Sequence, residues 1–283
     1  MKLLNETKLL LKATFIEWRN QRPELLGAAI SFYIIFSLGP VMVIIIGIVG
    51  LLFGKQVAES QIIQEIQRII GSKPAEVIQS LIEEAFLHPS RTLTTILSIP
   101  LVIFGATMLF YRLKNTLNVI WGVKPQSRSN LIGAIKNYIF SFLMVIILGI
   151  LLMILIIKSF LLVLLHEFLD NYIPFPIYLL QIIDGIFTFL AIIILFAMTY
   201  KILLETPIRW WDVWIGASVT SLMFIISQFI IGLYISKAEI GTAYGALGSL
   251  TILLVWIFYS SLIYLAGAIF TKVYSQRLWV ETD

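Results

Sequence analysis

The sequence predicts an all-α polytopic membrane protein: a six-transmembrane-helix bundle with an N-terminal interfacial helix and an external amphipathic helical pair. Three observations carry this expectation. Of 283 residues, 59% are hydrophobic and 13% charged, with a mean hydropathy of +0.97, whereas a soluble domain carries about a quarter charged residues. Six apolar segments are each close to or above the ~20 residues a helix needs to cross about 30 Å of hydrocarbon. Period-2 alternation, the mark of a membrane β-barrel, is absent from them, and open strands would leave backbone groups unsatisfied in lipid.

The expected spans are about 27–54, 92–111, 137–157, 177–200, 213–236 and 247–271, and the whole chain, 1–283, reads as a single integral membrane domain. Residues 3–18, "LLNETKLLLKATFIEW", mix Leu, Phe and Trp with Lys8 and Lys12. That pattern suits a helix lying in the membrane interface. The external loop 55–91 repeats apolar residues in helical pairs, first Ile62/Ile63, Ile66 and Ile69/Ile70, then Val77/Ile78, Leu81/Ile82 and Ala85/Phe86. "GSKP" at 71–74 divides the two runs, with Gly71 as a stop and Pro74 as a start. The apolar faces of this pair must cover either lipid or the mouth of a cavity between the spans.

Orientation follows from the basic residues. With the N-terminus inside, the cytoplasmic segments hold 14 Lys and Arg and the outer segments hold 6, over nearly equal lengths. The positive-inside rule then puts both termini in the cytoplasm. Trp18, Trp121, Trp210, Trp211, Trp214 and Trp279 fall near the expected cytoplasmic boundaries, and only Trp256 lies mid-helix. Segment 112–136 carries Arg112, Lys114, Lys124, Arg128 and Lys136 without an acid. These five are candidate contacts for anionic headgroups, each contributing about 1 kcal/mol near the surface. Membrane lipids are therefore the expected partners, and the net charge of +4 calls for no nucleic acid.

Several chemistries are excluded. With no cysteine in the chain, disulfides, thiol nucleophiles and thiolate metal sites are ruled out. His88 and His166, far apart in sequence, cannot supply the His/Asp cluster of a metal-dependent nuclease. No P-loop, H-E-x-x-H or G-x-S-x-G occurs. No catalytic residue, metal or cofactor is expected. The first apolar run is too long for a cleaved signal and ends in no small-residue cleavage site.

A few residues remain as candidates for a path or cavity. In "AAISFYIIFSLGP", 28–40, Pro40 removes a helix hydrogen bond, Gly39 loosens the same turn, and the Ser37 hydroxyl can satisfy a freed carbonyl. The stretch reads as a packing kink or as half of a discontinuous helix of the kind transporters use. Tyr33 and Ser37, four residues apart, share a face that should point into the bundle. Asp184 is the one acid inside an expected span, by default a functional hypothesis, although it lies close enough to the outer end to reach headgroups. Lys158, following an uncharged run, reads as a side chain snorkelling to the outer interface. Tyr244, beside Gly241, Gly245 and Gly248, sits on a small-residue edge leading into the last span. Gly50 and Gly54 form a G-x-x-x-G that reads as close helix approach.

"AAISFYIIFSLGP" resembles the first-span signature of the YihY/BrkB family of bacterial inner-membrane proteins. "FGATMLFYRLKNTLNVIWGVKP" (104–125), "PIRWWDVWIGA" (207–217) and "AYGALGSLTILLVWIFYSSLIYLAGA" (243–268) are similar to later parts of the same family, in the same order. The resemblance implies six spans, a bacterial inner membrane and a part in envelope integrity. Some members carry an old label of ribonuclease BN, and others are linked to serum resistance or to transport of lipid-like envelope components. One departure stands out: the family's last span commonly reads Gly-Ala-Glu, and here the run is Gly267-Ala268-Ile269. The expected function is translocation of a lipid or other amphipathic envelope component, or assistance to it. A non-transporting scaffold is the alternative, and ribonuclease activity has no support in the residues. Substrate, energy source and oligomeric state are not legible.

Overall fold

The computed structural model describes residues 2–87, 92–123, 131–170, 177–237 and 248–280. These are almost wholly helical and contain no strand. The helices are α1 (Lys2–Gln21), α2 (Pro23–Phe53), α3 (Lys55–Ile70), α4 (Ser72–Leu87), α5 (Thr92–Ile120), α6 (Leu131–Asp170), α7 (Ile177–Leu203), α8 (Trp210–Lys237) and α9 (Gly248–Val280). Among the described residues, α2 and parts of α6, α7, α8 and α9 are long and apolar enough to cross a membrane. The remaining expected span, 92–111, lies in α5.

Local chemistry sets the breaks. Pro23 opens α2 at a position where its missing N–H costs nothing, after Arg22 turns the chain with φ 46°. Gly54 (φ 77°) and Gly71 (φ 87°) end α2 and α3 in a backbone region that other residues occupy only with strain. Gly54 therefore serves the turn between α2 and α3: a Cβ there would meet nothing within 4 Å, so the Gly50/Gly54 pair does not place Gly54 in a close helix contact.

Six helices pack in a closed circuit, with α2 also lying directly on α6. α2 packs on α5, α5 on α6, α6 on α7, α7 on α8, α8 on α9, and α9 returns to α2. The apolar face of the α3–α4 pair, which buries Ala58, Ile62, Ile66, Ala75, Val77, Ile78 and Ile82, packs against α2, α6 and α9. Of the two covers the sequence left open, it takes the mouth of the bundle. α1 packs on α9. The outside of the circuit exposes Phe36, Leu51, Phe229 and Ile230, a surface suited to lipid and unsuited to water.

Helix α6 differs most from expectation. Its 40 residues measure about 60 Å, twice the hydrocarbon thickness. The span expected to stop at 157 continues as helix through Lys158.

Candidate functional site

Between these helices lies a partly open cavity of about 340 Å³ whose lining is almost entirely aliphatic and aromatic. Helix α2 contributes Ile30, Ile34, Leu38 and Met42, a four-residue stripe that covers about 18 Å of helix length. Ile66, Ile69 and Ile70 of α3 and Ile78 of α4 close one end. Leu151 and Leu155 of α6, Ala191 and Phe196 of α7, Phe224 of α8 and Trp256 of α9 line the walls. Trp256, the mid-helix tryptophan, meets Phe224 edge to face at 6.3 Å and donates its Nε1–H to Gln228 Oε1 at 2.8 Å. Thr199, Ser260, Ser261 and Tyr264 also line the cavity, through their apolar atoms. Ser261 and Thr199 donate to carbonyls of their own helices, which keeps them compatible with an apolar lining. Ser260 Oγ is buried without a partner.

Tyr33, Ser37 and Pro40 of α2 lie beside this space rather than lining it. Ser37 is buried, donating to the carbonyls of Tyr33 and Ile34 at 2.6 and 3.1 Å. Pro40 sits against Gly105 of α5, where a Cβ would come within 2.8 Å of the proline Cγ. Helix α2 runs unbroken through Pro40. Of the two readings of this stretch, the packing one fits: the proline's partner is a glycine on α5 and the helix is not broken. The cavity stripe is rotated one residue, about 100°, from Tyr33 and Ser37. Tyr33 instead carries the guanidinium of Arg112 over its ring at 4.4 Å.

Arg112 and Lys114 are both engaged within the protein. The side chain of Lys114 is 10% exposed and pairs with Glu205 at 2.9 Å, while Asn118 Oδ1 accepts the Glu205 N–H. A lysine buried at this level needs such a counter-ion. Lys124, Arg128 and Tyr244 lie outside the described residues, and Lys136 falls in α6 with its side chain outside them. At the N-terminal end, Lys272 of α9 donates to Glu17 of α1 at 2.6 Å. That bond, helped by Gln21, holds the Glu17 carboxyl below the usual carboxylate range.

A second polar group joins side chains of α3, α6 and α7, each within one or two helical turns of a cavity-lining residue. Lys158 is 8% exposed and pairs with Asp184 at 2.5 Å, with Thr188 at 3.5 Å. The carboxylate on α7 neutralises it where it stands. Arg68 of α3 bridges Glu65 at 3.1 Å and Asp184 at 3.6 Å, and donates to Ser159 at 2.9 Å. Glu65 is 1% exposed; Ser159 donates to its Oε1, and its Oε2 is buried without a partner. The sequence offered Asp184 and Lys158 singly. Nothing in it announced that Glu65 of an amphipathic helix would turn inward to join them.

The sequence reading also missed the tightest glycine-mediated helix contact among the described residues. "GASVT" at 216–220 and "GAIFT" at 267–271 lie on antiparallel α8 and α9. A Cβ on Gly267 would fall 1.8 Å from Thr220 Oγ1, and one on Gly216 would fall 1.9 Å from Thr271 Oγ1. Each threonine also donates to the carbonyl of its own motif's glycine, at 2.7 and 2.6 Å. The matched spacing was the available signal, since small residues every four positions permit close approach.

A lipid-facing circuit of helices, an apolar space between them and a charged cluster close to it define a polytopic helical membrane protein built around an internal cavity. The chain belongs to the BrkB family: the family model described as "Virulence factor BrkB" matches residues 14–283. Among curated proteins it is similar to a "UPF0761 membrane protein" of Tolumonas auensis, 34% identical over 28% of this chain and 26% of that protein. A "UPF0761 membrane protein" of Verminephrobacter eiseniae is 34% identical over 26% of this chain and 18% of that protein. These matches span about a quarter or less of the relatives' lengths. No solved structure matches the chain.

Proposed function

We propose that this protein works in the bacterial inner membrane, with both termini cytoplasmic. In this reading it moves, or helps to move, an amphipathic envelope component whose acyl or similar apolar chain enters the central cavity. The cavity is the observation that carries the reading. Its volume falls in the range of ligand sites, its walls offer a chain the same apolar surroundings as the bilayer, and the Lys158–Asp184 pair lies close to it on α6 and α7. The reading includes no catalytic step, cofactor or nucleic acid, and takes envelope integrity as the consequence of the movement. Its test is reconstitution in liposomes with labelled lipids, comparing the intact protein with Leu38→Trp, which fills the cavity. Leu38→Trp is expected to abolish movement, and movement by neither protein, or equally by both, overturns the reading.

One observation favours a non-transporting scaffold instead: α2 is continuous and its proline is seated on Gly105. A scaffold tolerates a filled cavity. Leu38→Trp that preserves envelope integrity in cells, in a protein that moves no lipid, would select this second reading.

A further inference from the structure

The cluster at the α3, α6 and α7 junction borders the cavity on every helix that builds it. Glu65 and Arg68 flank Ile66 and Ile69; Lys158 is one turn from Leu155; Thr188 is one turn from Ala191. A chain lying in the cavity with its polar end toward this cluster would bring that end among four charged groups, two cationic and two anionic. Their formal sum is zero. A ligand with net charge would leave one group of the cluster uncompensated in a partly buried place, which is costly. A zwitterion exchanges partners instead: an anionic group takes Arg68 and Lys158, and a cationic group takes Glu65 and Asp184.

The buried Oε2 of Glu65 narrows the choice further. It is an acceptor without a donor, and a buried acceptor left unmatched is destabilising. A primary ammonium supplies N–H donors, whereas a quaternary ammonium supplies charge alone. On the anionic side, Arg68 is 45% exposed, so its planar fork can turn from Asp184 to a phosphate. We propose that Glu65, Arg68, Lys158 and Asp184 form a headgroup site selecting a zwitterionic phospholipid that bears a primary amine. This rests on reading the cavity as a chain-binding site.

The test uses the full chain purified in detergent. It is offered an equimolar mixture of phosphoethanolamine, phosphocholine and phosphoglycerol lipids with identical acyl chains, and retained lipid is counted by native mass spectrometry. The phosphoethanolamine lipid is expected to be retained about tenfold over each of the others, the scale of one charge-assisted hydrogen bond. Glu65→Gln should bind lipid but lose that preference. Arg68→Gln, at a half-exposed position that is easier to change without unfolding, should weaken retention of all three. Equal retention by the intact protein, lost in Leu38→Trp, overturns the headgroup site and leaves the cavity reading standing. A preference unchanged in both Glu65→Gln and Arg68→Gln also overturns it. No retention of any lipid overturns both.

Discussion

Replacing Gly267 by alanine should break the closest glycine-mediated helix contact among the described residues. The new methyl would stand 1.8 Å from Thr220 Oγ1 and 2.7 Å from its Cβ and Cγ2, where ordinary contact begins at 3.4 Å. The threonine is not free to turn aside. Its hydroxyl donates to Gly216 O at 2.7 Å and lies 3.2 Å from the Tyr200 hydroxyl, which itself donates to the Tyr264 carbonyl at 2.8 Å. The helices must therefore part, by up to about 1.6 Å at this point (3.4 less 1.8). Parting also disengages Thr271 from Gly216, since both contacts belong to one rigid pair. Overpacking of this kind costs about 1–3 kcal/mol, and the doubled contact places it at the upper end. Thr220→Ala should relieve only part of the strain, because its Cβ remains at 2.7 Å. Thr220→Gly should relieve the clash fully while adding about 1 kcal/mol for glycine within a helix. Thermal unfolding in detergent, followed by circular dichroism, reads this series. Gly267→Ala melting with the wild type, or Thr220→Ala and Thr220→Gly both failing to rescue it, would refute the reasoning.

Other interfaces give equally direct outcomes. Asp184→Asn leaves the nearly buried Lys158 without its carboxylate and should destabilise by about 3–5 kcal/mol. Lys158→Met should cost less, because Arg68 still stands 3.6 Å from the half-buried Asp184. In the same melts the double variant should unfold well above the temperature expected from the two losses added together. Gly105→Ala should destabilise alone and recover in part when combined with Pro40→Ala, which removes the ring atom 2.8 Å away but keeps a Cβ at 3.2 Å. Pro40→Ala alone should leave lipid movement in liposomes unchanged; its loss would restore the broken-helix reading. For Glu17 the sign follows from its lowered carboxyl: its contribution to α1 docking is complete above the ordinary carboxylate range and is lost as pH falls through the lowered value. Energy transfer between labels on α1 and α9 should fall in that acid range for the wild type, and should show no such acid transition in Glu17→Gln.

The helices were legible because length, apolar runs and Gly or Pro breaks act locally. The α3–α4 pair was legible too, since a helix with one apolar face must cover something. The cavity stripe was not. Helix α2 is apolar on nearly every face, so periodicity cannot say which residues turn inward, and polar Tyr33 and Ser37 were the only guide. A serine in a span can satisfy itself on its own helix, as Ser37 does, and then it says nothing about a cavity. Charge pairing failed for a related reason. Lys158 and Asp184 meet across 26 residues, and Lys114 meets Glu205 across 91. Those meetings depend on helix rotation and register, which a uniform apolar sequence does not encode. Glu65 was hidden differently, on a helix whose buried face is otherwise apolar.

Ile269 brings sequence and structure to a single point. The resemblance implies a glutamate at this position in many relatives, yet here the side chain is fully buried in the core, two residues from Gly267 and two from Thr271. An ionised carboxylate at such a place costs several kcal/mol unless a cation meets it. One turn further along α9, Lys272 is held by Glu17 of α1. In this chain the isoleucine fills the interior and the lysine is committed to docking α1. Ile269→Glu should therefore lower stability by about 3 kcal/mol or more, or draw Lys272 away and loosen α1, so that energy transfer between α1 and α9 falls at neutral pH. A variant as stable as the wild type with α1 still docked would show that a carboxylate is accommodated there by groups other than Lys272.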